Sequence, residues 1–341
     1  MKSATILLMA AAALAIAAGD SGAPRNAADR LREAQNAEQS LCFRATVNTA
    51  TFGGAGPASS QVIVSRKPGA GRWEYQSPAL RGLVVIEKAG NVIRLDPTRK
   101  VATVERAHAG PAALDLLLKN HEVTAEKAED VAGRTADVLA VRHRQTGRLA
   151  KKVWVDRERA LIVRSESYDS DGKLASLTVH DSIEWNPKLD DSLFEVPAGW
   201  QRVGTDDDRE RHWQRDALSK EVGFEVREPS HVPAGYTLDG LHLFRCRRGL
   251  ASAHLRYVDG LNSVSVFEQI GGCPRAGGPG GPGGGKGRGW GRGRGGGGRC
   301  GCELVCGRQG EMLVKHSDGM TFILVGDLPK DELQKIADSI R

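Results

Sequence analysis

The side chains best suited to chemistry in this sequence are nine histidines and six cysteines. Their spacing decides little in favour of catalysis. No H-E-x-x-H occurs, so a zincin site is not supported, and no G-x-S-x-G nucleophile elbow occurs either. His180-Asp181 are neighbours, but adjacent residues on a strand point to opposite faces, which argues against a dyad. Asp169-Ser170-Asp171-Gly172 starts like a calcium loop yet lacks the acidic residue that closes one, so it reads as a hairpin turn. Gly280 to Lys286 matches G-x-x-x-x-G-K, but Gly287 stands where the magnesium-binding hydroxyl must be. Gly287-Arg288-Gly289 begins a dinucleotide-like pattern by composition alone. Neither follows a strand and opens a helix, the context a phosphate cradle needs. Asp206-Asp207-Asp208 reads as a solvated turn. No catalytic set, cofactor or metal site is expected.

The cysteines are Cys42, Cys246, Cys273, Cys300, Cys302 and Cys306. C-x-C-x3-C has no second half to complete a zinc cluster, and His316 is the nearest imidazole. An even count favours disulfides in an exported chain, with free thiols and a metal as alternatives. The spacing assigns no partners.

Charge narrows the function classes. The chain of 341 residues carries a formal +6, and residues 271–310 alone carry seven basic residues and one acid. The rest is neutral, which excludes a uniformly basic nucleic-acid-binding body. The Arg-Gly repeats around Trp290 resemble RNA-binding tails. Behind an export signal they read better as a flexible loop, or as a basic arm meeting lipid head groups, lipopolysaccharide or an acidic partner. The export signal is residues 1–19: Lys2, an apolar run from Ile6 to Ala18, and small residues for cleavage near Ala17. That run is too short to span a bilayer. A periplasmic location is expected.

These features must be carried by two domains. Residues 26–200 read as antiparallel strands with two helices. Leu31, Ala34, Ala37 and Leu41 recur at helical spacing over Asn26–Ser40, and Pro111–His121 forms the second helix. Between and after them lie strand-like runs: Cys42–Ala50, Gln61–Arg66, Arg72–Gln76, Gly82–Glu87, Asn91–Leu95, Lys100–Arg106, Asp137–Arg144, Ala150–Asp156, Leu161–Tyr168 and Ala175–Trp185. Gly53–Ser60 reads as a loop. Residues 201–222 read as a linker. Residues 223–341 form a smaller α+β domain: strands at Phe224–Arg227, Tyr236–Phe244, Ala251–Tyr257, Val264–Gln269, Glu311–His316 and Met320–Gly326, then a helix over Lys330–Ile340. The stretch 271–310 interrupts it. The fold class is α+β, with a strongly curved antiparallel sheet wrapping the two helices. Alternation nominates Val62, Val64, Trp73, Tyr75, Val84, Ile86, Val153 and Val155 as lining of an apolar concavity that could take an acyl chain or peptide. The same alternation fits side chains that pack on the domain's own helices.

Two stretches carry a family resemblance. Lys152-Val153-Trp154-Val155-Asp156-Arg157-Glu158, with Leu161–Glu166, Tyr168–Gly172 and Leu189-Asp190-Asp191-Ser192-Leu193-Phe194-Glu195-Val196-Pro197, resembles the end of the LolA/LolB-like lipoprotein-sorting fold. Val232-Pro233-Ala234-Gly235-Tyr236, Leu255–Phe267, Phe322–Pro329 and Ile336–Ile340 are similar to the C-terminal domain of the MucB/RseB family, regulators of an envelope-stress sigma factor. That family joins the two domains in this order; the insert at 271–310 departs from its pattern. The resemblance implies a non-enzymatic periplasmic sensor with a LolA-like half-barrel. It would bind the extracytoplasmic segment of a membrane-anchored anti-sigma factor and shield it from a protease until a lipid-like signal relieves the shielding. Partner contacts are expected from Tyr257, Asp259, Leu261 and Val264 of the second domain. The alternative is a periplasmic lipid or lipoprotein carrier of the LolA type.

Overall fold

The computed structural model describes residues 26–53, 56–106, 112–204, 212–245, 251–271 and 311–341. The apolar N-terminal run, the Asp206–Asp208 triplet, Trp290, the two glycine-rich phosphate-loop look-alikes and Cys246, Cys273, Cys300, Cys302 and Cys306 lie outside the described residues.

The N-terminal unit opens with α1 (Ala27–Ser40), capped by the Asn26 side chain, which accepts the Asp29 N–H at 2.8 Å. Eleven antiparallel strands follow: β1 (Phe43–Gly53), β2 (Gly56–Lys67), β3 (Ala70–Tyr75), β4 (Val84–Lys88), β5 (Asn91–Asp96), β6 (Val101–Arg106), β7 (His121–Val131), β8 (Arg134–His143), β9 (Leu149–Asp156), β10 (Ile162–Tyr168) and β11 (Leu174–Trp185). Helix α2 (Ala112–Asn120) sits between β6 and β7, and β12 (Gln201–Gly204) closes the unit. The twelve strands make one sheet in the order β12-β6-β5-β4-β3-β2-β1-β11-β10-β9-β8-β7. Two meanders are thus joined where β11 returns to pair with β1, while β12 pairs in parallel with β6.

The sheet is open and curled. Arg30 of α1 binds Asp137 on β8 at 3.1 Å, and Glu38 of the same helix meets Arg66 on β2 at 3.4 Å. On a flat sheet β8 and β2 stand about 24 Å apart at the usual strand spacing. Eight helical residues span only about 12 Å. The sheet bends round the helix so that both ion pairs form. Across the opposite face, a short 3₁₀ turn (Asp191–Phe194) drops the fully buried Phe194 onto Ala70, Ile86, Leu95 and Ala102.

The C-terminal unit has α3 (Arg215–Val222), then β13 (Thr237–Arg245), β14 (Ala251–Val258), β15 (Ser263–Ile270), β16 (Glu311–Ser317) and β17 (Met320–Gly326), and ends with α4 (Lys330–Ser339). Its five antiparallel strands run β13-β14-β15-β17-β16. Leu241, Leu255, Val266, Leu324 and Leu313 stand directly opposite one another across all five, one apolar row on a single face. Leu218 and Val222 of α3 and Leu333, Ile336 and Ala337 of α4 cover that row.

The expected α+β class and most elements stand. Four differences stand out. β7 is absent from the expected strands because its sequence, with four acids and a lysine, is mostly exposed and lacks an apolar alternation. The stretch 201–222, expected as a linker, holds β12 and α3; α3 rests on only two buried residues, Leu218 and Val222. Phe224–Arg227 is irregular rather than a strand, and β2 already begins at Gly56 within the expected loop.

Candidate binding site

Residues directly opposite in an antiparallel ladder share a face. Val62 pairs with Val47 and Tyr75, Val64 with Ala45 and Trp73, and Trp73 with Val85. Arg66, two residues along β2 from Val64, reaches Glu38 of α1, so this is the inner face of the curl. Leu41, just after α1, packs on the same apolar cluster. On the other wing Val153 and Val155 lie under Leu31 and Ala34 of α1. Val62, Val64, Tyr75, Val153 and Val155 are all buried and Trp73 half-buried. The structure therefore brings six of the eight expected lining residues to the inner face, where α1 and Leu41 contribute the covering side chains.

Val84 and Ile86 stand elsewhere. Ile86 pairs with Arg72 and Val84 with Glu74, which puts both on the outer face with Phe194. Val85 is the inner residue of that strand. A run of three apolar residues, Val84-Val85-Ile86, gives alternation no phase to follow. A cleft of about 340 Å³ opens at the far end of the β1–β2 hairpin, lined by Asn48, Ala50, Gln61, Ser77, Leu177 and Val179 among others. None of the expected lining residues borders it.

Several polar side chains lie deep in this unit, among them Arg30, Arg66, Asp156 and Lys151. Lys151 on β9 is 7% exposed, and its Nζ has Ser167 Oγ at 3.5 Å. Burial pulls its ammonium down from 10.5 to about 8. A base depressed in the native state binds fewer protons than in the unfolded chain, so stability rises with pH from about 8 to 10.5. Lys151→Met is expected to raise stability by about 1–3 kcal/mol at pH 7, measured by urea unfolding. An unchanged or lower midpoint would mean that the charge is already compensated. His180 on β11 is half-buried, and desolvation of its ring holds it down to about 4 and hence neutral.

The four residues expected to meet a partner have other surroundings. Tyr257 and Val264 belong to the C-terminal core. Asp259 is 1% exposed and sits where the two units touch. Leu261, half-buried, gives its N–H to Asp259 Oδ1 at 2.8 Å. The contact between the units was missed from sequence. Asn120, the last residue of α2, donates its Nδ2 to the carbonyls of Gly235 at 2.7 Å and Asp259 at 2.9 Å. Gly260, with φ +96°, lies against the α2 backbone: a Cβ there would stand 2.2 Å from Leu117 N. His121 is fully buried in the same contact, its Nε2 3.8 Å from Asp259 Oδ2. Tyr236 is packed nearby, and burial beside Asp259 and Asp327 pushes its phenol well above the usual range. Of the cysteines, Cys42 is a free, half-buried thiol with Sγ 3.7 Å from the Pro187 carbonyl.

With this geometry in view, comparison with known families is decisive over half the chain. Residues 27–197 match the MucB/RseB N-terminal domain. The chain belongs to the MucB/RseB family. Solved structures extend the likeness of this MucB/RseB protein to both units. A crystal structure of MucB in complex with the periplasmic part of MucA aligns over 93% of this chain and 98% of that one, with TM-score 0.62 and 18% identity. The Pseudomonas aeruginosa MucA/MucB complex aligns over 92% and 98%, again with TM-score 0.62 and 18% identity. At that identity the likeness shows the fold. A sequence comparison with curated proteins finds no match.

Proposed function

We propose that this protein is an exported, non-enzymatic regulator that binds the extracytoplasmic part of a membrane-anchored anti-sigma factor. The observation that carries the reading is the likeness of both units, in the same order, to MucB as it is seen in complex with the periplasmic part of MucA. Membership of the MucB/RseB family and the family's periplasmic setting agree with the N-terminal export signal. The chemistry asked of the chain is recognition alone. A lipid signal would act at the inner face, where an acyl chain would take the place of Leu41 and α1 over Val62, Val64, Trp73 and Tyr75. Each Å² of apolar surface so covered is worth roughly 25 cal/mol.

The mature chain, immobilised and exposed to detergent-solubilised membranes of its source, should retain one single-pass membrane protein through that protein's extracytoplasmic segment. The purified segment should then form a defined complex in size-exclusion chromatography with light scattering. Retention of lipid or lipoproteins alone would overturn the proposal in favour of a carrier.

A further inference from the structure

His121 is the first residue of β7, directly after α2, and it is buried where the two units meet. Its Nδ1–H donates to the Leu117 carbonyl at 3.2 Å, which leaves the Nε2 lone pair turned to the C-terminal unit. Asp259 Oδ2 is 3.8 Å away, beyond hydrogen-bond distance. That carboxylate is already held by its own loop: the N–H groups of Leu261 and Asn262 donate to Oδ1 at 2.8 and 2.6 Å, and Asn262 Nδ2 lies 3.4 Å from Oδ2. On the N-terminal side His121 faces His143 of β8, with ring centroids 5.4 Å apart, and Arg148 of the β8–β9 turn. Arg148 in turn donates to the Asp169 carbonyl at 2.6 Å, and Asp327 of the C-terminal unit accepts the Ser170 N–H.

We propose that His121 is an acid-operated release for the contact between the two units: neutral, it lets them dock, and protonated, it drives them apart. An imidazolium here would sit without water, near Arg148, opposite a carboxylate already occupied by three donors. Once the units separate, the same charge is hydrated. Burial holds the imidazole below its ordinary 6.5, and the opposing pull of Asp259 is the smaller effect. Docking is therefore strongest above pH 6.5, weakens as the pH falls from there, and levels off below the docked value. Asp327 has the opposite sign: burial pushes its carboxyl up from 3.8, so acid favours docking through this group, and H121Q isolates its share of the pH response. The release holds whatever partner the protein binds.

Hydrogen exchange on the full mature chain tests it, with rates corrected for the intrinsic effect of pH. Between pH 7.5 and 5.5 the segments 116–122, 233–236 and 259–262 should open more, by up to about 10-fold, the ceiling at pH 5.5 for a group that titrates at 6.5 when free. Residues 153–155 of the sheet should not change. His121→Gln, which cannot titrate, should abolish the acid-induced opening. The wild-type measurement stands alone should that variant misfold. Unchanged junction exchange in the wild type, or an equal response in a folded H121Q, would overturn the proposal.

Discussion

Gly260→Ala undocks the two units at neutral pH while each keeps its own core. The methyl group would stand 2.2 Å from Leu117 N and 2.6 Å from Leu117 Cα, both backbone atoms of α2 that no rotamer change can move. The position also has φ +96°, where an alanine is strained by about 1–3 kcal/mol. With the steric conflict added, a loss of about 3 kcal/mol or more from docking is expected. The carbonyls of Gly235 and Asp259 would then lose Asn120 and return to water. Neither core would be touched, because Leu241, Leu255, Val266 and Leu324 pack within the C-terminal unit and Val62, Val64 and Phe43 within the N-terminal one. Small-angle scattering should show a longer particle, and thermal unfolding should divide into two transitions. A variant with wild-type scattering and one transition would show that the α2 contact is dispensable.

Phe194→Ala is the second large effect, and it falls on the N-terminal unit alone. The ring is wholly buried over β3 to β6, among Ala70, Ile86, Leu95 and Ala102, with Lys67 Nζ 4.8 Å from its centroid. Losing it leaves a cavity that a sheet on one side and a tight 3₁₀ turn on the other cannot close. The cost should be about 3–5 kcal/mol in urea unfolding. Asp190 keeps the turn in place by accepting the Ser192 N–H at 2.8 Å, so Asp190→Ala should weaken the same lid by about 1 kcal/mol. A Phe194→Ala variant within 1 kcal/mol of wild type, taking about 3 as the least a buried ring costs, would mean that the turn is not seated on the sheet.

Phe194 entered the sequence reading only as one residue of the run Leu189 to Pro197 that carries the family resemblance; no period marks it as a core ring, because it is delivered by a four-residue 3₁₀ turn. Helix α1 was legible because Leu31 and Ala34 recur at helical spacing and are the residues that face β9. Strand β7 was not: one edge of a sheet, exposed along most of its length and interrupted by a bulge between Glu126 and Glu129, needs no apolar pattern. The inner face was legible where single apolar residues alternate, as at Val62 and Val64, and failed at Val84-Val85-Ile86, where three in succession leave the phase open. The junction was legible only as a motif. Tyr257-Val258-Asp259-Gly260-Leu261 announces a special loop, yet what the loop meets, Leu117 and Asn120, lies about 140 residues earlier. No local period records a contact of that span.

The parallel pairing of β12 with β6 has a mechanical consequence. β12 is four residues long, exposed throughout, and is the last strand before the chain passes to the second unit. Once the contact of α2 with Gly235 and Asp259 has parted, tension applied through that second unit reaches the large sheet by way of these few rungs. Four exposed parallel rungs hold less than the long antiparallel ladders behind them, so a tug on the tether strips β12 before the rest of the sheet and bares β6 as a fresh border strand. A pulling experiment should therefore register a small early step, ahead of the main rupture, with a contour gain of only a few residues.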